Sequence, residues 1–273
     1  MPTTQVSAIV LGAGYGTRLQ KGIEADSSGE YKELIGIPKP LLPVGNKSLL
    51  SHWFESLKDN AFVRDFYVIT NGFFAKQFEV WGKSQEGIFK HTSLINDHTM
   101  SNETRLGAVA DIDMVLQAKK DEMGPDTGIL VIAGDTLFHQ DFDINDFIKY
   151  NLTRTEEACS VVYYDIGNED TRKRGIIEID ENKKVISFLE KPNPEDTHSR
   201  NACPAFYYIP PKGIALVRQF MEEHKDKPLT SRDAPGRLIA WLHTHIPVYA
   251  YAISGRYDIG SLEDYKTTLK AFA

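Results

Sequence analysis

The chain has 273 residues, enough for one large domain or two small ones and enough to bury a core without disulfide or metal staples. Apolar residues make up 41% and charged residues 25%, which excludes an intrinsically disordered chain. The formal net charge of −7 argues against a basic surface for nucleic acid or membrane, so we expect neither as a partner. With only Cys159 and Cys203, a disulfide framework and a cysteine-based zinc module are both excluded.

The N-terminal segment, MPTTQVSAIVLGAG, has no basic residue ahead of its apolar stretch, which argues against a secretory signal. No segment of the chain approaches the ~18 uninterrupted apolar residues that a membrane-spanning helix needs. We therefore expect a cytoplasmic protein.

In the first half of the chain, short β-branched runs alternate with longer amphipathic stretches. Runs that do not alternate with polar residues are typical of strands buried on both faces, and they occur at Ser7–Leu11, Phe66–Thr70, Ser93–Asn96 and Gly128–Ala133. The intervening stretches predict helices at Ser48–Asn60, Phe74–Gly82 and Arg105–Met123. The polar segment Gln20–Ile37 is predicted to be one long loop.

The second half has more strand and less helix. Strands are predicted at Cys159–Tyr164, Gly175–Asp180, Val185–Glu190, Ala205–Ile209 and Val248–Ile253, with a hairpin turn at Asp180–Lys183. Helices are predicted at Lys212–Glu223, Ala234–His243 and Leu262–Phe272, with Asp233 as the N-cap of the second. Repeated strand–helix–strand units favour an α/β fold with helices on both faces of a mostly parallel sheet.

A glycine-rich turn, Gly12-Ala13-Gly14-Tyr15-Gly16-Thr17-Arg18-Leu19, follows the first predicted strand. It is not the dinucleotide fingerprint, because the third glycine would fall at Thr17, and it lacks the Gly-Lys-Ser/Thr of a P-loop. The glycines alone leave a tight structural turn and a phosphate-binding loop as alternatives. Arg18 favours phosphate, which a guanidinium grips through two hydrogen bonds. Three prolines near Lys39, in the segment 37–44, stiffen the backbone around that lysine.

Taken in order, the motifs resemble the sugar nucleotidyltransferase (NDP-sugar pyrophosphorylase) family, which includes the glucose-1-phosphate thymidylyltransferases. G-x-G-T-R-L is followed by P-K-P-L-L-P-V, then by Ala133-Gly134-Asp135, then by Gly175–Asp180 with Phe188–Pro192, and finally by Arg256–Ser261. The resemblance spans roughly residues 6–270. It implies a three-layer α/β/α fold with a mixed, mostly parallel sheet and a small inserted sugar-binding lobe. It also implies one domain over residues 1–273, in which 6–157 mainly bind NTP and 158–273 mainly bind the sugar phosphate.

The activity implied by the resemblance is Mg²⁺-dependent transfer of a nucleotidyl group from an NTP to a sugar 1-phosphate, with release of pyrophosphate. The implied catalytic residues are Arg18 on the β/γ-phosphates, Lys39 on the α-phosphate and Asp135. Asp135 and Asp258 would hold Mg²⁺. The implied nucleotide-binding residues are Leu11, Gly12, Ala13, Gly14, Gly16, Thr17 and Gly107. The implied sugar-phosphate-binding residues are Gly175, Glu190, Lys191 and Tyr207. A homo-oligomer is compatible with the resemblance.

The chain departs from the family pattern in several places. Gln20–Ile37 resembles an insertion, Ala205-Phe206-Tyr207 stands where Gly-Leu-Tyr is common, and Arg256 stands where tryptophan is usual. The segment 102–108 also differs from the thymidylyltransferase pattern. The sequence therefore does not determine which base or which sugar the protein binds. Two alternatives remain: a cytidylyltransferase for a small phospho-alcohol such as phosphocholine, and a non-catalytic regulatory subunit. The Asp111-x-Asp113 pair resembles the D-x-D motif of glycosyltransferases, but it lies in a predicted helix, where residues i and i+2 do not share a face.

Overall fold

The computed structural model describes residues 5–85, 89 and 91–273, so residues 1–4 of the N-terminal segment lie outside the described residues. The helices are α1 Thr17–Ala25, α2 Leu49–Leu57, α3 Ala75–Lys83, α4 Ala108–Ala118, α5 Ile144–Leu152, α6 Pro211–His224, α7 Gly236–Leu242 and α8 Leu262–Ala271. The strands are β1 Gln5–Leu11, β2 Pro43–Val44, β3 Lys47–Ser48, β4 Val63–Thr70, β5 His91–Asn96, β6 Thr127–Ala133, β7 Thr136–Phe138, β8 Cys159–Asp165, β9 Gly175–Ile179, β10 Val185–Glu190, β11 Asn201–Ala202, β12 Phe206–Ile209, β13 Val248–Ala252 and β14 Arg256–Asp258.

A ten-stranded mixed sheet runs through the described part of the chain in the order β10-β9-β11-β8-β12-β6-β1-β4-β5, with β13 beside β8. From the pairings, seven of the ten strands point one way, and β10, β11 and β12 point the other. Side chains alternate along buried strands, so neighbours such as Val10 and Ile9 enter separate cores on opposite faces. Helices α2, α3, α5 and α8 cover one core, and α4, α6 and α7 cover the other. The predicted three-layer α/β/α fold is confirmed.

The parallel register places three strand ends level with one another. Leu11 of β1 lies beside Ile69 of β4 and beside Ala133 of β6. The glycine-rich turn and Gly134-Asp135 therefore leave the sheet at the same edge, which is where ligands bind in open α/β sheets.

The prediction of one long loop at Gln20–Ile37 is wrong for its first part. Helix α1 runs from Thr17 to Ala25 because Leu19 and Ile23, four residues apart, both lie in the core. A short 3₁₀ turn follows at Lys32–Leu34 and buries Leu34.

Two other predictions are wrong in detail, and one helix was not predicted at all. The helix expected at Arg105–Met123 covers only Ala108–Ala118, because Gly107 adopts a φ of 95° that breaks helical geometry ahead of it. Asp233 is not the N-cap of α7; that residue is Pro235, and the Asp233 carboxylate binds Arg105 instead. Helix α5 was missed, although Asp143 caps it and Ile144, Phe147 and Ile148 form its buried face.

Both cysteines are buried and free. Among the described residues, no helix has the length and apolar character needed to cross the bilayer.

Phe206 anchors one of the two cores. Its ring centroid lies 4.9 to 5.5 Å from those of four other aromatic residues, Trp53, Phe138, Phe142 and Phe147. We predict that Phe206→Ala lowers the free energy of unfolding by about 3–5 kcal/mol, because it leaves a cavity that rigid rings cannot fill. Phe73→Ala, the same substitution at a side chain that is 58% exposed, should change it by less than about 0.5 kcal/mol. Urea denaturation measures both, and equal effects would contradict the prediction.

Candidate active site

The glycine-rich turn presents free backbone donors at the sheet edge. The Gly12 N–H donates to Ile69 O at 2.8 Å, and a Cβ on Gly12 would lie only 2.9 Å from that oxygen. Beyond it, the backbone N–H groups of residues 13–17 donate to no acceptor in the described part of the chain. Gly16 has a φ of 62° and leads directly into α1. Free N–H groups in such a turn, ahead of a helix, suit phosphate oxygens.

A cavity of about 320 Å³ opens beside this turn. Eight of the residues that the resemblance implies line it: Leu11, Gly12, Ala13, Gly14, Gly16, Lys39, Gly107 and Asp135. Thr17 is not part of this lining; it is the exposed first residue of α1. At Gly107, whose φ is 95°, a Cβ would also lie 3.0 Å from Arg232 O, so both the backbone angle and the space favour glycine.

Lys39 and Asp135 form an ion pair at the wall of this cavity. Lys39 Nζ lies 3.0 Å from Asp135 Oδ2, although 96 residues separate them in the chain. Burial alone would raise the pKa of Asp135, but the ammonium of Lys39, with Arg256 beyond it, outweighs burial and holds that pKa below its usual range. Asp135 is therefore ionised at neutral pH.

Strand pairing places Asp258 beside the segment that contains Asp135. The short strands β7 and β14 are antiparallel, with Asp258 opposite Thr136, and Ile259 N donates to Asp135 O at 2.9 Å. Two guanidinium groups contact the Asp258 carboxylate, Arg256 at 2.8 Å and Arg174 at 3.3 Å. Burial raises the pKa of Asp258, Arg256 opposes that rise and Asp135 adds to it. Asp135, directly before β7, and Asp258, at the end of β14, thus lie on neighbouring segments although they are distant in sequence.

The donor set at this point fits a magnesium ion. Mg²⁺ is usually held by one or two carboxylates together with substrate phosphates, rather than by a complete protein cage. Within the described residues, no group of three or more His, Cys, Asp or Glu side chains is placed to hold a metal ion. Asp135 and Asp258 supply two carboxylates, and the pKa of Asp258 is raised partly by the negative charge of Asp135. A cation between them would relieve that repulsion.

A second, smaller cavity of about 120 Å³ holds three of the implied sugar-binding residues, Gly175, Glu190 and Tyr207. Burial raises the pKa of Glu190, and Lys191 and Arg237 partly oppose the rise. The Glu190 carboxylate accepts no hydrogen bond from the described residues, and its nearest cation is Lys191 Nζ at 4.0 Å. A Cβ on Gly236 would collide with Glu190, so the glycine at the start of α7 makes room for this carboxylate.

A third cavity, about 680 Å³, holds Arg18, Lys191 and Asp258. Arg18 donates through Nε to Gly260 O at 2.9 Å, which orients an otherwise exposed guanidinium. Lys191 has a φ of 56°, and its backbone N–H donates to Arg174 O. The second and third cavities share Lys173 and Arg174, and the first and second share Pro235. Apart from Thr17, the predicted site residues are therefore divided among three adjoining cavities.

Several residues of these cavities were not predicted from the sequence to be site residues. Asp97, Arg105, Asp111 and Asp233 line the first cavity, and Arg174 lines the other two. Arg105 and Asp233 form a two-bond ion pair across 128 residues, which no local pattern reveals. Asp111 and Asp113 do diverge as expected: Asp113 binds Arg218 at 2.9 Å, whereas Asp111 lines the cavity.

Comparisons with known proteins identify the family. The family model described as nucleotidyl transferase matches residues 7–272. The chain belongs to the nucleotidyl transferase family. The resemblance read from the motifs is thereby confirmed.

Among curated members of this family, the UTP–glucose-1-phosphate uridylyltransferase of Synechocystis sp. is 23% identical over 272 residues, covering 95% of this chain and 61% of the relative. The bifunctional protein GlmU of Methanococcus vannielii is 28% identical over 195 residues, covering 71% of this chain and 37% of the relative. The chain thus spans less than two thirds of the length of both relatives. A solved UDP-glucose pyrophosphorylase complexed with UDP-glucose has a TM-score of 0.70 at 20% identity, with 98% of each chain covered. That likeness establishes the shared fold.

The Lys39–Asp135 pair gives a prediction about pH. A carboxyl whose pKa is lowered on folding stabilises the protein above its unfolded-state pKa, and that contribution is lost as pH falls through the folded-state pKa. Lys39→Met removes the cation, so the pKa of Asp135 should rise and the acid-side loss of stability that this pair contributes should shrink.

Carboxyl ¹³C NMR titration measures the pKa, and urea denaturation from pH 7 to pH 3 measures the stability. Lys47→Met is the matched control, because Lys47 binds Glu55 and should shift the pKa of that carboxyl instead. An unchanged Asp135 pKa in Lys39→Met would contradict the assignment.

Proposed function

We propose that this chain transfers a nucleotidyl group from an NTP to a sugar 1-phosphate and releases pyrophosphate, with Mg²⁺ as cofactor. The observation that carries the proposal is the position of Lys39, Asp135 and Asp258. Lys39 and Asp135 line the cavity beside the free N–H groups of the glycine-rich turn, and Asp258 lines the cavity that contains Arg18 and Lys191. Family membership supports the reaction class, since members such as the Synechocystis relative carry that activity in their names.

The reaction needs alignment and charge neutralisation more than it needs a protein nucleophile. A sugar-phosphate oxygen forms a bond to the α-phosphorus, and the bond from that phosphorus to the bridging oxygen of the β-phosphate breaks, so pyrophosphate leaves. Both substrates are anions and repel each other. Cationic side chains that are already in place reduce that repulsion without reorganising during the reaction.

Each cavity then has a role. The turn 12–17 and Gly107 bind the nucleotide, Lys39 stabilises charge on the α-phosphate, and Arg18 binds the departing phosphates. Lys191 holds the sugar phosphate, while Glu190 accepts hydrogen bonds from sugar hydroxyls beside Gly175 and Tyr207. We further propose that residues 6–157 form mainly the NTP half and 158–273 mainly the sugar half of one domain over residues 1–273.

Asp135 and Asp258 are the residues that would hold Mg²⁺. When bound, the ion supplies a positive charge that neutralises phosphate oxygens and favours departure of pyrophosphate. Asp135 is suited to this role because its carboxyl stays ionised beside Lys39.

We predict that Asp135→Asn lowers kcat/KM on the order of 100-fold or more, because it removes a charged ligand without changing shape. Pyrophosphate release is measured with Mg²⁺, a panel of NTPs and a panel of sugar 1-phosphates. Asp59→Asn, at an exposed position away from all three cavities, should leave the rate unchanged. If the wild-type protein turns over no NTP with any sugar phosphate, the proposal fails. Turnover only with CTP and phosphocholine would favour the phospho-alcohol alternative.

A second prediction distinguishes binding of the sugar 1-phosphate from binding of the NTP. Glu190→Gln should raise KM for the sugar 1-phosphate by about 10-fold or more, because hydrogen bonds to a charged acceptor are worth more than those to an amide. KM for the NTP should stay within about 2-fold, since Glu190 lies outside the first cavity. Glu181→Gln, in the exposed β9–β10 turn, is the matched control. An equal rise in both KM values would contradict the assignment.

A further inference from the structure

Asp111 is a buried carboxyl that faces the first cavity without a partner. It lies in the first turn of α4, is 7% exposed and lines the cavity. Its Oδ1 is buried with no hydrogen-bond partner, and neither oxygen accepts a hydrogen bond from the described residues. Buried polar atoms in folded proteins are nearly always paired, so an unpaired one inside a cavity points to a ligand.

The other acidic residues of this lining already have partners among the described residues. Asp97 Oδ1 accepts from both the N–H and the hydroxyl of Thr99, at 2.7 and 2.8 Å. Asp233 accepts two hydrogen bonds from Arg105, at 2.8 and 3.0 Å. Asp135 is bound to Lys39. Asp111 is thus the carboxyl of the lining that is left for a ligand to satisfy.

The surroundings of Asp111 differ from those of Asp135. Burial, with Asp97 and Asp233 nearby, raises the pKa of Asp111 to about 8. Burial also acts to raise the pKa of Asp135, but there Lys39 and Arg256 outweigh it and lower that pKa. The cavity therefore has a cationic part that suits phosphate and a second part that is rich in acidic groups. With a pKa of about 8, the free Asp111 carboxyl is mostly protonated at neutral pH, and a ligand that brings two N–H donors to it favours its ionised form.

The nucleobases differ in what they offer to an ionised carboxylate, which only accepts hydrogen bonds. A protonated carboxyl also donates one, which suits the amino group and ring nitrogen of adenine or cytosine. Guanine presents two adjacent donors, N1–H and its 2-amino group. Cytosine and adenine present one amino donor beside a ring-nitrogen acceptor, and uracil and thymine present one N–H between two carbonyl acceptors. Only guanine can donate to both oxygens of one carboxylate at once.

We propose that Asp111 recognises the N1–H and 2-amino group of a guanine base, so that the nucleoside triphosphate is GTP. The inference rests on the proposed function, because it takes the first cavity as the nucleotide pocket. It makes Asp111 a specificity-determining residue that touches the base, distinct from the groups that contact phosphate.

The test is isothermal titration calorimetry with Mg²⁺ and GTP, ITP, XTP, ATP, CTP, UTP or dTTP. For the wild-type protein, we expect GTP to bind most tightly and ITP, which lacks the 2-amino group, to bind about 10-fold more weakly. Asp111→Asn should weaken GTP binding by about 100-fold and strengthen XTP binding, because the asparagine amide donates to the 2-oxo group of xanthine. Asp113→Asn, the same change two residues later on α4, should bind as the wild type does.

Preference of the wild-type protein for any base other than guanine would overturn the inference. So would an Asp111→Asn variant that keeps its affinity for GTP within about 3-fold, which would mean that Asp111 is only structural. If that variant does not fold, the comparison of GTP with ITP on the wild-type protein decides the matter. Pyrophosphate release is assayed separately: tight GTP binding without turnover would refute the proposed function alone, and turnover with UTP that Asp111→Asn leaves unchanged would refute the inference alone.

Discussion

The pairing of two three-residue strands is the constraint on which the candidate site depends. Strand β7 follows directly from the end of β6, and β14 lies more than a hundred residues later, yet Asp258 pairs with Thr136 and Ile259 binds Asp135 through the backbone. Without that pairing, nothing in the described fold would hold Asp258 near Asp135. Because Asp258 also lines the cavity that contains Arg18 and Lys191, the same contact joins the two halves of the site.

Most charged side chains of the candidate site form ion pairs with other side chains of the protein. Lys39 binds Asp135, Arg256 and Arg174 bind Asp258, and Arg105 binds Asp233. Each pair offsets part of the cost of holding a charge away from water, and each can exchange protein partners for phosphate or metal when ligands arrive. Asp111 and Glu190 are exceptions: burial raises the pKa of both carboxyls, and neither accepts a hydrogen bond from the described part of the chain. We propose that Asp111 binds the base and Glu190 binds the sugar, which are the uncharged parts of the two substrates.

Much of the fold could be predicted from the sequence because buried parallel strands leave uninterrupted β-branched runs, as in Gly128–Ala133. Short strands have no such signal: β7 and β14 are held by each other rather than by their own composition. The motifs identified Asp135 and Asp258 as candidate metal ligands, and in the structure Asp135 directly precedes β7, which pairs with the strand that ends at Asp258. The partners of those motifs, Arg174 and Arg105, depend on contacts across 84 and 128 residues that no local pattern encodes. Helix α1 has a weak sequence signal, because Leu19 and Ile23 are its only buried residues and the rest of the helix is mostly polar or small.

We propose that Asp135 and Asp258 hold one divalent ion between them. The most direct measurement is the affinity for Mn²⁺, followed by electron paramagnetic resonance with a non-hydrolysable NTP analogue bound, for the wild-type protein, Asp135→Asn, Asp258→Asn and the double variant. If both carboxylates serve one ion, each single substitution weakens binding by about 10-fold or more, and the losses in binding free energy do not add in the double variant. Strictly additive losses, or an Asp258→Asn variant that binds Mn²⁺ as tightly as the wild type, would contradict the account.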